Sequence, residues 1–195
     1  YTVMISSTYK DLIEYRDIAR QTVVECKMHP ECMEISGASS QDILTESMKM
    51  VDAADIYIGI IGSRYGQILD DPRNKGKVSI TELEYDRAVE RSIPTYIFVV
   101  QEESDRFQLN QLKESKIQQR KRSEFLKRLE TKHTLQIVTS RESIRAEIIK
   151  ALRDYREEKL GDISAKPREK EEQKRRTWVA VVPKKKLITP FGGHS

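Results

Sequence analysis

Residues 55–62, Asp-Ile-Tyr-Ile-Gly-Ile-Ile-Gly, constrain the fold of this chain more than any other stretch. The run has no polar face to turn toward water. It therefore predicts a strand in the middle of a sheet covered on both sides, the usual place of a parallel strand in an α/β domain. It is far short of the roughly 20 apolar residues that cross a bilayer. A second run, residues 95–100 (TYIFVV) after Pro94, has the same character, and residues 2–6 (TVMIS) and 135–138 (LQIV) are shorter versions of it. Residues 32–35, just after Pro30, read as a further short strand.

Between these strands the hydrophobic period changes to that of helices. From Ser7 and Thr8 to about Met28, the residues Leu12, Ile13, Tyr15, Ile18, Ala19, Thr22 and Val23 recur at three and four residue spacings. Glu14, Arg16, Asp17 and Arg20 are assigned to the outer face. Residues 41–54 and 80–91 are amphipathic. Residues 109–132 form a long charged helix with Leu112, Ile117, Phe125, Leu126 and Leu129 turned inward. Ser140 opens a last helix to about Lys159, with Ile144, Ile148, Ile149, Leu152 and Tyr155 on one face. Five short strands alternating with helices require crossovers between parallel strands. The expectation is a doubly wound, flavodoxin-like parallel sheet of order 2-1-3-4-5.

Composition enters through its distribution. Charged residues make up 34% and aromatics 7%, yet the apolar residues are clustered, which excludes wholesale disorder. Residues 159–195 hold ten Lys/Arg against four Asp/Glu, and the rest of the chain holds 25 against 27. The body thus carries no bias toward nucleic acid, and a polyanion would have to meet the tail. Residues 1–159 are read as one α/β domain and 160–195 as a basic linker or tail, with 165–176 as solvated linker and 178–182 (WVAVV) as strand-like. The chain opens on Tyr1 and runs at once into a strand, which predicts no signal peptide. Two cysteines, Cys26 and Cys32, are too few for a disulfide framework and point to a reducing, cytoplasmic setting. His29, His133 and His194 lack metal-ligand spacing, so no metal is expected.

Ligands of an open parallel sheet bind outside the carboxyl ends of its strands where the order reverses, here between strands one and three. Three segments converge there. Ser6, Ser7 and Thr8 offer hydroxyls and amides suited to a phosphate or ribose. Gly62, Arg64, Tyr65 and Gly66 combine close backbone approach with a charge and an aromatic face. Glu82 and Glu84 stand at the start of a helix, about 200° apart around its axis. Against these stand plainer roles: a helix cap for Thr8, a turn for Arg64 and Tyr65, dipole compensation for the glutamates. No Gly-Lys-Ser/Thr follows the glycines, which excludes P-loop chemistry, and no Gly-x-Ser-x-Gly elbow is present.

The stretches VMISSTYKDLIEYR (3–16), IIGSRYG (60–66), SITELEYDRA (79–88) and IPTYIFV (93–99) resemble the "ISST" domain of unknown function, over about residues 2–158. Tyr15 stands where that family commonly has a second acidic residue. The resemblance implies a domain placed N-terminal to NACHT or other STAND-type ATPase modules in defence-type proteins. That family is similar in turn to TIR domains and nucleoside deoxyribosyltransferases, whose active members carry a ribose-handling glutamate in a Glu-x-x-x-Ala helix start. Glu84 with Ala88 matches the spacing, and Glu82 does not. The implied activity is cleavage of the N-glycosidic bond of NAD or a related nucleotide upon assembly, with no further cofactor. Glu84 would be catalytic, and Ser6, Ser7, Thr8, Gly62, Arg64, Tyr65, Gly66 and Glu82 would hold the substrate. The alternative is a non-catalytic module that assembles with copies of itself or with a STAND ATPase module, or senses a nucleotide. The sequence indicates neither a nucleic acid nor a membrane as partner.

Overall fold

A computed structural model describes residues 1–33, 40–101 and 113–179, with the side chains of 40–42 and 162–179 left aside. The chain divides into two compact units, Tyr1–Arg153 and Asp154–Ser195. In the first, β1 (Thr2–Ser7), α1 (Tyr9–Glu25), β2 (His29–Glu31), α2 (Ser40–Asp52), β3 (Ile56–Ile61), α3 (Ile80–Glu90), β4 (Thr95–Val100), α4 (Lys116–Lys132) and β5 (Gln136–Val138) are followed by the start of α5 (Arg141–Val179). All strand pairs are parallel and the order is β2-β1-β3-β4-β5, the flavodoxin-like arrangement expected.

The central run behaves as its composition requires. Every residue of β3 is buried, with Val3 paired to Ile56 and Ser7 to Ile60 on one side and Tyr57 to Thr95 on the other. Alternation along the strand sends Tyr57 and Ile61 to one face. There they pack with Met4, Ile97, Val99, Tyr85, Phe125 and Leu129, so α3 and α4 cover that face. On the opposite face lies α1, with α5 beside it through ion pairs of Arg141 to Glu14 and Arg145 to Glu25.

Several boundaries differ from expectation. The second strand is His29–Glu31 and not 32–35, of which 34 and 35 lie outside the described residues. Helix α1 stops at Glu25, and Lys27 adopts a positive φ of 57°, so the chain turns back three residues early. Pro30 then falls inside the strand. That is tolerable because β2 is the sheet edge and its missing N–H breaks no internal ladder. Helix α4 starts only at Lys116, where Ser115 and Gln118 form a capping box. Ile117 sits in that first turn and is exposed, against the inward face assigned to it, and Leu112 lies outside the described residues. Ile13 and Ile149 likewise border the solvent, while Leu12, Ala19, Ile144 and Ile148 are fully covered. In the second unit, residues 165–176 lie within α5 where a solvated linker was expected. Apart from Pro167, their Lys, Glu, Arg, Gln and Ala are good helix formers. Trp178 and Val179 end that helix, and residues 180–182 are outside the described range.

Candidate functional site

A cleft of about 550 Å³ opens at the carboxyl edge of the sheet where β1 and β3 diverge, within the size range of small-molecule sites. Its walls come from the end of β1 (Ile5, Ser6, Ser7), the first turns of α1 (Thr8, Tyr9, Lys10, Arg16), the loop after β3 (Arg64, Gly66, Gln67) and the start of α3 (Ile80, Thr81, Glu84). Met33 and Gln118 close the rim. Strand pairing dictates this meeting: Ser7 lies opposite Ile60, so the two loops leave the sheet side by side.

Glu84 is the one carboxylate among the described residues of the cleft wall. It is 4% exposed, and its two oxygens accept hydrogen bonds from two serines on different elements, Ser6 of β1 and Ser47 of α2, the latter at 2.5 Å. Burial raises its pKa above the ordinary carboxyl value, and the Ser47 and Ser6 hydroxyls and the Arg16 charge oppose that rise. A charged group held this way has few ways to relax, so its position is set by the sheet and α2 together.

Glu82 points the other way, as residues two apart on a helix must. Its carboxylate accepts a 2.5 Å hydrogen bond from the Tyr65 hydroxyl and pairs with Arg128 of α4 at 2.9 Å. Burial raises its pKa as well, against the effect of Tyr65 and Arg128. The Tyr65 hydroxyl also accepts the Ser79 N–H at 3.1 Å, and its ring is buried in the core beside Tyr85 and Phe125. Tyr65 and Glu82 are thus cross-braces beneath the cleft and do not line it. The aromatic face that does line it is Tyr9, whose ring lies 5.6 Å from the Arg16 guanidinium. Ser79 caps α3 by accepting the Glu82 N–H at 3.3 Å.

Residues 62–66 are held from behind. Asp11 accepts the Arg64 N–H at 3.1 Å and the Ser63 hydroxyl at 3.4 Å. The buried Glu114 carboxylate takes the N–H of Tyr65 at 2.8 and 2.9 Å and that of Gly66 at 3.3 Å, and stands 3.8 Å from Arg64. Arg122 donates to the Gly62 carbonyl at 2.7 Å. Packing alone requires Gly62, because a Cβ there would fall 2.5 Å from Asp11 Oδ2 and 2.9 Å from Leu12. Gly66 does line the cleft; its φ of 97° and a Cβ position 2.8 Å from Thr8 Cγ2 both exclude a side chain. Thr8 occupies the N-cap position of α1 but makes no capping bond, its hydroxyl donating to Asp11 instead.

The cleft therefore brings together Ser6, Ser7, Thr8, Arg64, Gly66 and Glu84, and leaves Gly62, Tyr65 and Glu82 outside it. It also contains groups that the sequence reading passed over. Arg16, placed there on the outer face, is 6% exposed and lines the cleft. It lies four residues after Leu12 and three before Ala19, so the apolar stripe itself marked it. Ser47, which holds Glu84 from α2 and is not itself among the cleft-lining residues, sits likewise on the stripe of Ile43, Leu44 and Val51. No cluster of His, Cys, Asp and Glu able to hold a metal occurs among the described residues, both cysteines are free, and no described helix is long and apolar enough to cross a membrane.

A parallel sheet of this order with its cleft at the β1/β3 reversal defines a flavodoxin-like α/β domain. Residues 2–153 match the family described as "Domain of unknown function (DUF4062)", and the chain belongs to that family. Among solved structures it is similar to a chain of the "Crystal structure of the RPS4 and RRS1 TIR domain heterodimer", at 11% identity and a TM-score of 0.46, over 79% of this chain and 97% of that one. No curated protein matches it.

Proposed function

We propose that the domain cleaves the N-glycosidic bond of NAD or a related nucleotide, with Glu84 as the carboxylate at the ribose. The observation that carries this reading is the placement of a buried carboxylate, fixed by two serine hydroxyls, in the wall of the switch-point cleft. In such a reaction the C1′–N bond breaks and its electron pair leaves with the base, for NAD as neutral nicotinamide. The oxocarbenium-like ribosyl centre forms against the Glu84 carboxylate. A water oxygen then bonds to C1′ and gives up one proton, for which Glu84 is the acceptor in this reading. Ser7 and Thr8 offer hydroxyls to the sugar, and Tyr9 a face for the base. On this reading, which the sequence resemblance supports, the domain is a signalling or effector end of a STAND-type protein, concentrated when that protein assembles.

The experiment is nicotinamide release from NAD by the purified chain, dilute and then crosslinked or concentrated. Glu84→Gln is expected to lower turnover at least about a hundredfold, near 2.7 kcal/mol of barrier. Absence of turnover by the wild type even when clustered would leave the non-catalytic assembly module as the reading.

A further inference from the structure

Arg16, the cation of this cleft whose charge acts on Glu84, forms no direct ion pair among the described residues. Arg16 is 6% exposed, yet its hydrogen-bond acceptors are all neutral: the Met33 carbonyl at 2.6 Å and the Ser7 carbonyl and hydroxyl, both at a long 3.4 Å. No carboxylate pairs with it among the described residues. Sequestering a guanidinium in this way is unfavourable unless a negative charge joins it. Two other cations, Lys10 and Arg64, line the same cleft. Lys10 is exposed in the first turn of α1, and Arg64 stands 3.8 Å from Glu114, a long ion pair. A guanidinium fork with an adjacent hydroxyl matches the oxygens of a phosphate, to which it can donate two hydrogen bonds at once.

We infer that Arg16, with Lys10 and Ser7, forms a phosphate-binding subsite, so that the cleft selects a 5′-phosphorylated nucleotide over the free nucleoside. This rests on the N-glycosidic reading for what lies at Glu84, and concerns the phosphate of the same ligand. A purely structural Arg16, tying α1 to Met33, would affect stability but not discriminate between ligands by their phosphate.

The test uses the full chain carrying Glu84→Gln, which removes turnover while leaving the cleft shape, and measures binding by calorimetry. The probes are nicotinamide mononucleotide against nicotinamide riboside, and adenosine monophosphate against adenosine, each pair differing only in the phosphate. The phosphorylated member is expected to bind at least tenfold more tightly. Adding Arg16→Gln should bring the two members within about twofold. Adding Lys10→Ala, at an exposed position that places no demand on folding, should narrow the preference about threefold. Equal affinity within each pair, no binding of any probe, or a preference unchanged in both variants would overturn the subsite. Turnover of NAD by the wild type without phosphate preference would keep the N-glycosidic reading and remove this one. Phosphate preference without turnover would do the reverse.

Discussion

Replacing Glu84 by Gln has a consequence for stability that separates a buried working carboxylate from an ordinary helix-start glutamate. In the folded chain burial holds the Glu84 proton above the ordinary value of 4.5. Between that value and the raised native one, the native state therefore binds more protons than the unfolded chain. Stability conferred by the protonated form is present below the window and is lost as pH rises through it. Gln has no proton to lose there. Its oxygen accepts from one serine, and its amide donates to the other after that hydroxyl reverses, so two hydrogen bonds of about 1 kcal/mol each are retained. The buried charge alone is removed. At neutral pH Glu84→Gln is expected to equal the wild type or exceed it by on the order of 1 kcal/mol, about 2–4 °C in melting temperature for a unit of this size. Glu84→Ala leaves both serines unpartnered beside a void and is expected to lose about 2–4 kcal/mol. Urea unfolding of the three proteins from pH 4 to pH 8 reads this directly, since subtracting the Gln curve isolates the Glu84 slope. A loss above about 1 kcal/mol in the Gln variant at neutral pH, or an identical pH slope in both proteins, would refute the reasoning.

Three other outcomes follow from the same geometry. Ser47→Ala removes a hydrogen bond that lowers the Glu84 pKa, so the acid limb of the pH–rate profile should move to higher pH, while a merely structural Ser47 would leave it in place. Gly66→Ala, at φ 97°, should cost at least about 1 kcal/mol in urea unfolding and reduce nucleotide binding, whereas Gly76→Ala, which meets only Val78 at 3.5 Å, should stay within about 0.5 kcal/mol. Tyr65→Phe should destabilise by about 1–3 kcal/mol, by stripping partners from Glu82 and the Ser79 N–H, yet leave ligand affinity unchanged because the hydroxyl lies outside the cleft.

The sheet was legible because its strands are short, apolar and β-branched, and because alternation with helices leaves little choice of connection. What escaped were features decided by partners distant in the chain. Pro30 reads locally as the end of a helix, and only the edge position of β2 makes it a strand residue. Loop residues 62–66 have no period, so nothing local says that the Tyr65 ring turns into the core while Arg64 turns to the cleft. Glu114 grips that loop from 48 and 49 residues away, a contact without a sequence signature. Arg16 is different: its spacing from Leu12 and Ala19 already put it on the buried stripe, and reading it by charge and not by angle hid it.

The bond between Ser6 and Glu84 joins positions 78 apart in sequence. While the chain is being synthesised, β1 and its hydroxyls exist long before the carboxylate they will hold, and the Glu114 clamp comes later still. Loop closure over such spans is slow and yields nothing until the last partner arrives. A nascent or prematurely terminated chain ending before α3 therefore carries half a cleft and none of its acid, and the pocket comes into being only with the finished sheet.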